Sequence, residues 1–240
     1  MNTAKMQVEI WSDIACPFCY IGKRNFESGI EKFADAANIN VTWKSFQLDP
    51  TLPEKTTVDH EQYLVKYKGL PADRVNQMLQ QVAQSAKAAG LDFHFEKIAT
   101  VNSFNAHRLI QLAKTKGLGD AAEERLFKAY FTEGKNIADR ITLTELGKEI
   151  GLTENEVTDA LTSETYAAKA NEDIDEARQL GIRGVPFFVL DRKYAVSGAQ
   201  PAEVFTQTLE KAFSEWRAKN PETAFEVTEG PSCTADGNCG

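Results

Sequence analysis

The amino-acid sequence predicts an α/β fold in which a β-α-β half and a β-β-α half are separated by a large all-helical insertion. Strand-like alternation of apolar and polar residues occurs near the N-terminus, disappears over residues 57–181, and returns at residues 186–198. A chain of 240 residues with 42% apolar content is sufficient for a large packed core. The predicted division is a sheet domain from residues 1–56 and 182–218, an insertion over 57–181, and a tail over 219–240.

Two strands flank a helix in the first half. The segments QVEIW (residues 7–11) and VTWKSF (41–46) alternate apolar and polar residues, which is typical of strands. Between them, apolar residues recur at roughly helical intervals: Ile21, Phe26, Ile30 and Phe33. This order predicts a β-α-β unit.

The insertion is predicted to consist of amphipathic helices. One begins near Pro71 and ends at Gly90, with a single apolar stripe: Val75, Met78, Leu79, Val82 and Ala86. Others begin near Asn102, interpreted as an N-cap, and near Gly119. Capping-box patterns at 142–145 and 153–156 predict two more starts. The last helix ends at Gly181 and carries the apolar residues Tyr166, Ala170, Ile174, Ala177 and Leu180.

The second half is predicted to be a hairpin followed by a helix. Residues 186–198 contain two short β-rich runs around the polar turn DRK. The closing helix begins near Pro201 and buries its apolar residues: Val204, Phe205, Leu209, Phe213 and Trp216. Residues 219–240 are polar and aperiodic, which indicates a tail.

Composition argues against several classes of function. The net charge is -8 and no block of basic residues occurs, so we expect neither nucleic-acid binding nor attraction to an anionic membrane. No segment has the length of a membrane span, and the N-terminal residues lack the apolar run of a signal peptide, which predicts a cytoplasmic protein. We find no Gly-rich phosphate loop and no convincing metal set, so no cofactor is predicted.

The cysteines of the CPFC motif are the main candidates for chemistry. If the first strand ends before Asp13, Cys16 lies at a helix N-terminus with Pro17 in the first turn. The free amides and the positive end of the helix dipole then favour the thiolate, which makes Cys16 the predicted nucleophile. Cys19 lies on the same side of that turn and is the predicted resolving thiol. Phe18 offers no charge to the thiolate, which predicts a less oxidising pair.

A zinc site is the competing interpretation of the four cysteines. More than 200 residues separate Cys19 from Cys233, and five residues separate Cys233 from Cys239, unlike the compact spacing of structural zinc sites. Four cysteines are also too few for a disulfide-stapled scaffold of this length. We therefore favour a redox pair at Cys16 and Cys19 over a metal site.

The motifs resemble the DsbA-like thioredoxin-fold proteins, specifically the cytoplasmic FrnE-type branch, which is related to kappa-class glutathione transferases and 2-hydroxychromene-2-carboxylate isomerases. The resemblance is carried by SDIACPFCYIGK (residues 12–23), GIRGVPFFVLDRKYAVSGAQPAEVF (181–205), NSFNAHRLIQLA (102–113) and YFTEGKNIADRITLTELGKEIGL (130–152). The branch more usually has Trp where this chain has Phe18, and the isomerases and transferases typically have Ser where it has Cys16. The second departure favours thiol exchange.

The resemblance implies a thioredoxin fold split by the helical insertion. It also implies that the Val185-Pro186 peptide bond is cis and faces the thiols, so that this segment, with Pro17 and Phe18, forms a substrate-docking surface. His107 is implied to be a cleft residue, with a buried structural histidine as the alternative. Cys233 and Cys239 are either an auxiliary redox pair or an incidental dithiol.

The predicted function is that of a thiol-disulfide oxidoreductase, a reductase or isomerase of protein or peptide disulfides. Its expected partners are such substrates and a thiol reductant such as glutathione or thioredoxin, with glutathione as a co-substrate rather than a bound cofactor. Two alternatives remain: a glutathione-dependent isomerase or transferase of small aromatic molecules, and a redox-sensing holdase. No oligomeric state is predicted.

Overall fold

A four-stranded sheet forms one part of the protein. The computed structural model describes residues 4–55 and 59–221. Its strands are β1 Met6–Ser12, β2 Ile39–Ser45, β3 Phe187–Leu190 and β4 Tyr194–Ser197. They lie in the order β2-β1-β3-β4, with β1 parallel to β2 and antiparallel to β3. Strand β2 therefore begins and ends slightly earlier than the predicted strand at residues 41–46.

The predicted helices occur in the expected order, and a short helix that was not predicted, His60–Lys66, precedes them in the insertion. Within the described ranges they are α1 Pro17–Glu31, α2 His60–Lys66, α3 Ala72–Ala88, α4 Phe104–Thr115, α5 Gly119–Phe127, α6 Arg140–Glu149, α7 Glu154–Thr162, α8 Glu164–Gln179 and α9 Ala202–Lys219. A π-helical turn, Lys128–Thr132, continues α5. The described part thus has a β-α-β unit, a run of helices and a β-β-α unit, and the predicted thioredoxin fold with a helical insertion is confirmed. None of these helices is both long enough and apolar enough to cross a membrane.

Both faces of the sheet are covered, and β1 contributes to both cores because its side chains alternate between the faces. Val8 and Ile10 point into a core shared with α1 and α9. Trp11 points to the other face, where it packs with Ala177 of α8 and with Ile182. The sequence-based division assigns α8 to the insertion, and the structure packs this helix against β2 of the sheet.

The largest apolar core lies in the helical part and reaches the start of α1. It contains Cys16, Cys19 and Tyr20 together with buried side chains of α3 to α7. Tyr20 stacks on Phe127, with 4.9 Å between ring centroids, which fixes α1 against α5. The CPFC motif therefore lies where the sheet meets the helical insertion.

Helix caps agree with the sequence in one case and differ in others. Thr153 and Glu156 form the predicted capping box of α7. At α6 the prediction is wrong, because Asp139 is the N-cap and its carboxylate accepts the Thr142 amide. Asp139 is an equally good cap and starts the helix three residues earlier.

Two further predictions in the insertion need correction. Asn102 is not the N-cap of α4, a position that Ser103 occupies, although the Asn102 side chain accepts the Phe104 amide at 2.9 Å. Leu180 follows the end of α8 and is exposed rather than buried. Its apolar spacing continued the helical pattern past the point where the backbone turns at Gly181.

Candidate active site

Cys16 lies at the N-terminus of α1, where the sequence predicts it. The chain leaves β1 at Ser12 and turns, with the Cys16 amide donating to the Asp13 carbonyl oxygen at 2.9 Å. Cys16 is the N-cap in extended conformation, and Pro17 is the first helical residue. Since proline has no amide hydrogen, it leaves no donor unsatisfied in the first turn.

Cys16 also faces the second half of the sheet domain. Its Sγ donates to the Val185 carbonyl oxygen at 3.5 Å, and the Val185-Pro186 peptide bond is cis, as the resemblance implies. The Pro186 carbonyl oxygen accepts the Gly198 amide at 2.9 Å, which ties this segment to the end of β4. Two residues 169 positions apart in the chain are thus in contact.

Cys19 lies beneath Cys16 with a free thiol. It is almost completely buried, and its amide donates to the Cys16 carbonyl oxygen at 3.0 Å. Burial raises the pKa of the Cys19 thiol well above its usual value, and the hydrogen bond and negative charge of Cys16 raise it further. Cys19 therefore keeps its proton at neutral pH.

Sequence reasoning missed Asp13, which shapes the turn before Cys16. Its carboxylate accepts the Ala15 amide at 3.1 Å and the Leu48 amide at 2.7 Å, and is itself buried. Burial opposes ionisation, but His107 and these donors outweigh it and lower the pKa of Asp13. In the sequence, the one feature that could have pointed to Asp13 is its position between the first strand and Cys16.

His107, the possible cleft residue, is not among the side chains that line the cavity beside Cys16. Its side chain is fully buried on α4, with Nε2 3.5 Å from Asp13 Oδ1. The alternative given for a lone helical histidine, a buried structural residue, describes it better. Among the described residues, its contact with the active site is made with Asp13.

A cavity of about 270 Å³ opens beside Cys16. Cys16, Pro17 and Phe18 form one wall, and the other walls come from α2, α3, the segments after β2 and before α4, and Tyr130. Phe18 and Leu48 line it while remaining 45% and 48% exposed. Large apolar side chains with this exposure are typical of a contact surface.

Within residues 4–55 and 59–221, no group of three or more His, Cys, Asp or Glu side chains is arranged to hold a metal ion. The proposed auxiliary pair, Cys233 and Cys239, lies outside the described residues. Its role stays a prediction.

The close contact of α1 with Pro186 makes Gly22 sensitive to substitution. A Cβ atom at Gly22 would lie 2.8 Å from Pro186 Cγ, so Gly22→Ala must displace one of the two segments. Although alanine normally stabilises a helix interior relative to glycine, we expect a loss of about 1–3 kcal/mol from overpacking. Disulfide exchange should slow as well, because Pro186 moves relative to Cys16. Urea denaturation and exchange assays test both effects.

The matched control for this prediction is Gly184→Ala. A Cβ at Gly184 has open space around it, although the residue lies only two positions from Pro186. Equal stability and activity of the two variants would contradict the predicted clash.

Comparison with known proteins agrees with this geometry. The model of the DSBA-like thioredoxin domain matches residues 7–210. A solved structure of a "probable DsbA oxidoreductase" from Streptomyces coelicolor is similar, with 36% identity, a TM-score of 0.83 and 98% of each chain covered. The uncharacterised protein YwbO of Bacillus subtilis (strain 168) is 27% identical over 219 residues, covering 89% of this chain and 98% of that protein.

A more distant structure shares the fold. The cytosolic disulfide reductase DsbM from Pseudomonas aeruginosa, solved with GSH, has 21% identity and a TM-score of 0.62, covering 87% of this chain and 99% of that one. Since the family model spans most of the chain and includes the CPFC motif and Pro186, this protein belongs to the DsbA-like thioredoxin domain family.

Proposed function

We propose that the protein is a thiol-disulfide oxidoreductase that reduces or isomerises disulfides of protein or peptide substrates in the cytoplasm. The observation that carries the proposal is the pairing of Cys16, at a helix N-terminus and beside Val185, with a buried and protonated Cys19. Such an arrangement separates an attacking sulfur from a resolving one. The similarity to the cytosolic reductase DsbM supports the compartment and the direction of transfer.

In the first step, the Cys16 thiolate attacks one sulfur of the substrate disulfide. A mixed disulfide forms, and the other substrate sulfur leaves as a thiolate and takes a proton from water. The Val185 backbone and Pro186 flank the attacked sulfur, where an extended substrate segment would pair with the main chain. Because Cys19 is protonated at this stage, Cys16 attacks alone.

In the second step, Cys19 releases a proton to solvent and its sulfur attacks Cys16 Sγ. The Cys16-Cys19 disulfide forms and the second substrate thiolate leaves, so two electrons pass from protein to substrate. Once Cys16 is in the mixed disulfide, its thiol no longer bonds to Cys19 and carries no charge. Two of the causes that raise the pKa of Cys19 are thereby removed, so its pKa falls, with burial as the remaining cause that opposes the thiolate.

Reduction of the protein disulfide completes the cycle. Two thiols of the glutathione class would supply the electrons and leave as a disulfide; the DsbM structure with GSH supports this choice. Isomerisation needs no net reductant, because a substrate thiol attacks the mixed disulfide before Cys19 does.

The test is turnover of a disulfide-containing model peptide in a glutathione buffer, comparing the intact protein with Cys16→Ser. We expect the substitution to abolish catalysed turnover. If the Ser variant is as active as the intact protein, the exchange mechanism is wrong. Glutathione-dependent conversion of a small aromatic substrate by Cys16→Ser would instead support the isomerase alternative.

A further inference from the structure

The cavity beside Cys16 is walled mainly by apolar and aromatic side chains. Helix α3 contributes one side, and aromatic residues contribute much of the rest; the principal members are Tyr63, Met78, Leu79, Val82, Phe95 and Tyr130. Aromatic rings and a methionine sulfur make favourable contacts with a bound ring. The composition of the walls therefore favours an aromatic group.

The charged side chains of the described lining already have partners. Lys68 Nζ lies 2.8 Å from Asp49 Oδ2, and the Asp13 carboxylate accepts two backbone amides. His60 Nδ1 lies 3.1 Å from Thr100 Oγ1, and burial lowers the pKa of His60 to about 4 despite the charge of Asp59, so its ring is neutral at neutral pH. A charged ligand would gain no free ionic partner here, whereas an apolar one would bury its surface.

The size of the cavity limits what enters it. Pockets for drug-sized ligands have volumes of roughly 300–1,000 Å³, and this one holds about 270 Å³. It suits one ring-bearing side chain better than a whole peptide. Cys16 lines the same cavity, and neighbouring Cα atoms of a peptide are about 3.8 Å apart. A residue adjacent to the substrate's cysteine is therefore within reach while its sulfur is bonded to Cys16.

We infer that this cavity binds one aromatic side chain of the substrate peptide, carried by the residue next to the cysteine that Cys16 attacks. The inference rests on the proposed function and assigns to that function a preference for substrates with an aromatic residue beside the disulfide. Phe18 and Leu48, which are partly exposed at the same cavity, extend the apolar surface outward.

The test uses synthetic pentapeptides as mixed disulfides with 2-mercaptoethanol. They contain one cysteine flanked by Phe on its N-terminal side, by Phe on its C-terminal side, or by Ser on both. The reduced full-length protein is freed of reductant and mixed with each peptide below saturation. Formation of the Cys16-Cys19 disulfide is followed by acid quench, alkylation and peptide mass mapping. Because burial of a Phe side chain is favourable, one Phe peptide should react at least about tenfold faster than the Ser peptide.

Val82 provides the variant that links this preference to the cavity. Val82→Phe fills the space and should reduce the preference to within about twofold, because the Phe peptide loses its advantage over the Ser peptide. Gln84→Phe is the matched control, since it adds the same ring to an exposed position of α3. It should retain the preference.

A second variant keeps the inference testable if Val82→Phe does not fold. Val82→Ala enlarges the cavity and should raise the reaction rate of a Trp peptide relative to the Phe peptide; an unchanged ratio contradicts the inference.

Two results with the wild-type chain and Val82→Phe would also overturn it: rates for the Phe and Ser peptides within twofold of each other, or Val82→Phe slowing both peptides by the same factor. If no peptide oxidises Cys16 and Cys19, the proposed function itself fails. Equal oxidation by all peptides leaves that function standing and removes only the aromatic preference.

Discussion

Cys19→Ser should stop reductive turnover, the reaction that needs a resolving thiol, while leaving the first step intact. In this variant the Cys16 thiolate can still attack a substrate disulfide, but no neighbouring sulfur can release the product. Well-oriented intramolecular reactions reach effective concentrations of about 10⁵ M or more, far above glutathione in solution, so we expect turnover to fall by at least about a hundredfold. The mixed disulfide with substrate should accumulate, and intact mass spectrometry measures it.

Cys16→Ser is the control for that experiment. Its remaining active-site thiol, Cys19, is 1% exposed, and burial keeps its pKa high. It should therefore form little mixed disulfide at neutral pH. Release of the adduct from Cys19→Ser at the wild-type rate would contradict the assignment of Cys19 as the resolving thiol.

Glu123→Gln should stabilise the protein increasingly as the pH rises. Glu123 is buried on α5, and its Oε2 has no hydrogen-bond partner among the described residues. Burial raises the pKa of Glu123 to about 8, although the charge of Lys23 acts in the opposite direction. The folded state thus keeps a proton that the unfolded chain releases near its ordinary pKa.

The sign of the effect follows from proton binding. Below about pH 4.5 the carboxyl is protonated in both states, so it behaves like the neutral glutamine. From there to about pH 8 only the folded state holds the proton, and the free energy of unfolding of the wild type falls as pH rises. The advantage of Glu123→Gln should therefore grow over this range and level off above pH 8, reaching on the order of 5 kcal/mol.

Urea denaturation from pH 4.5 to 9 measures this difference. Glu145→Gln, at an exposed position of α6, is the matched control and should show no comparable trend. A difference between Glu123→Gln and wild type that is constant with pH would contradict a buried protonated carboxyl.

Local patterns were sufficient to predict most elements of the fold. The alternation in β1, the hairpin around residues 191–193, and the capping box at Thr153 are all local signals that the structure confirms. In the hairpin turn, Asp191 and Arg192 adopt positive φ angles. The predictions failed where two local signals compete, as at Asp139 and Thr142, because the choice between caps depends on packing of the whole helix.

Long-range contacts explain what the sequence could not predict at the site. Lys23 looks like an exposed helical lysine but is fully buried, because Asp120 and Glu124 of α5 neutralise it from another element. The pairing of His107 with Asp13 likewise joins residues far apart in the chain. Cys16 and Cys19 could be identified because helix position and spacing alone suggest their chemistry.

In the proposed mechanism, Cys16 is the residue whose sulfur first bonds to the substrate. The most direct test is to quench a single turnover of the reduced wild-type chain with acid and to map the substrate adduct by peptide mass spectrometry. We expect a transient adduct on Cys16, followed by the Cys16-Cys19 disulfide. A first adduct on Cys19, Cys233 or Cys239 would contradict it.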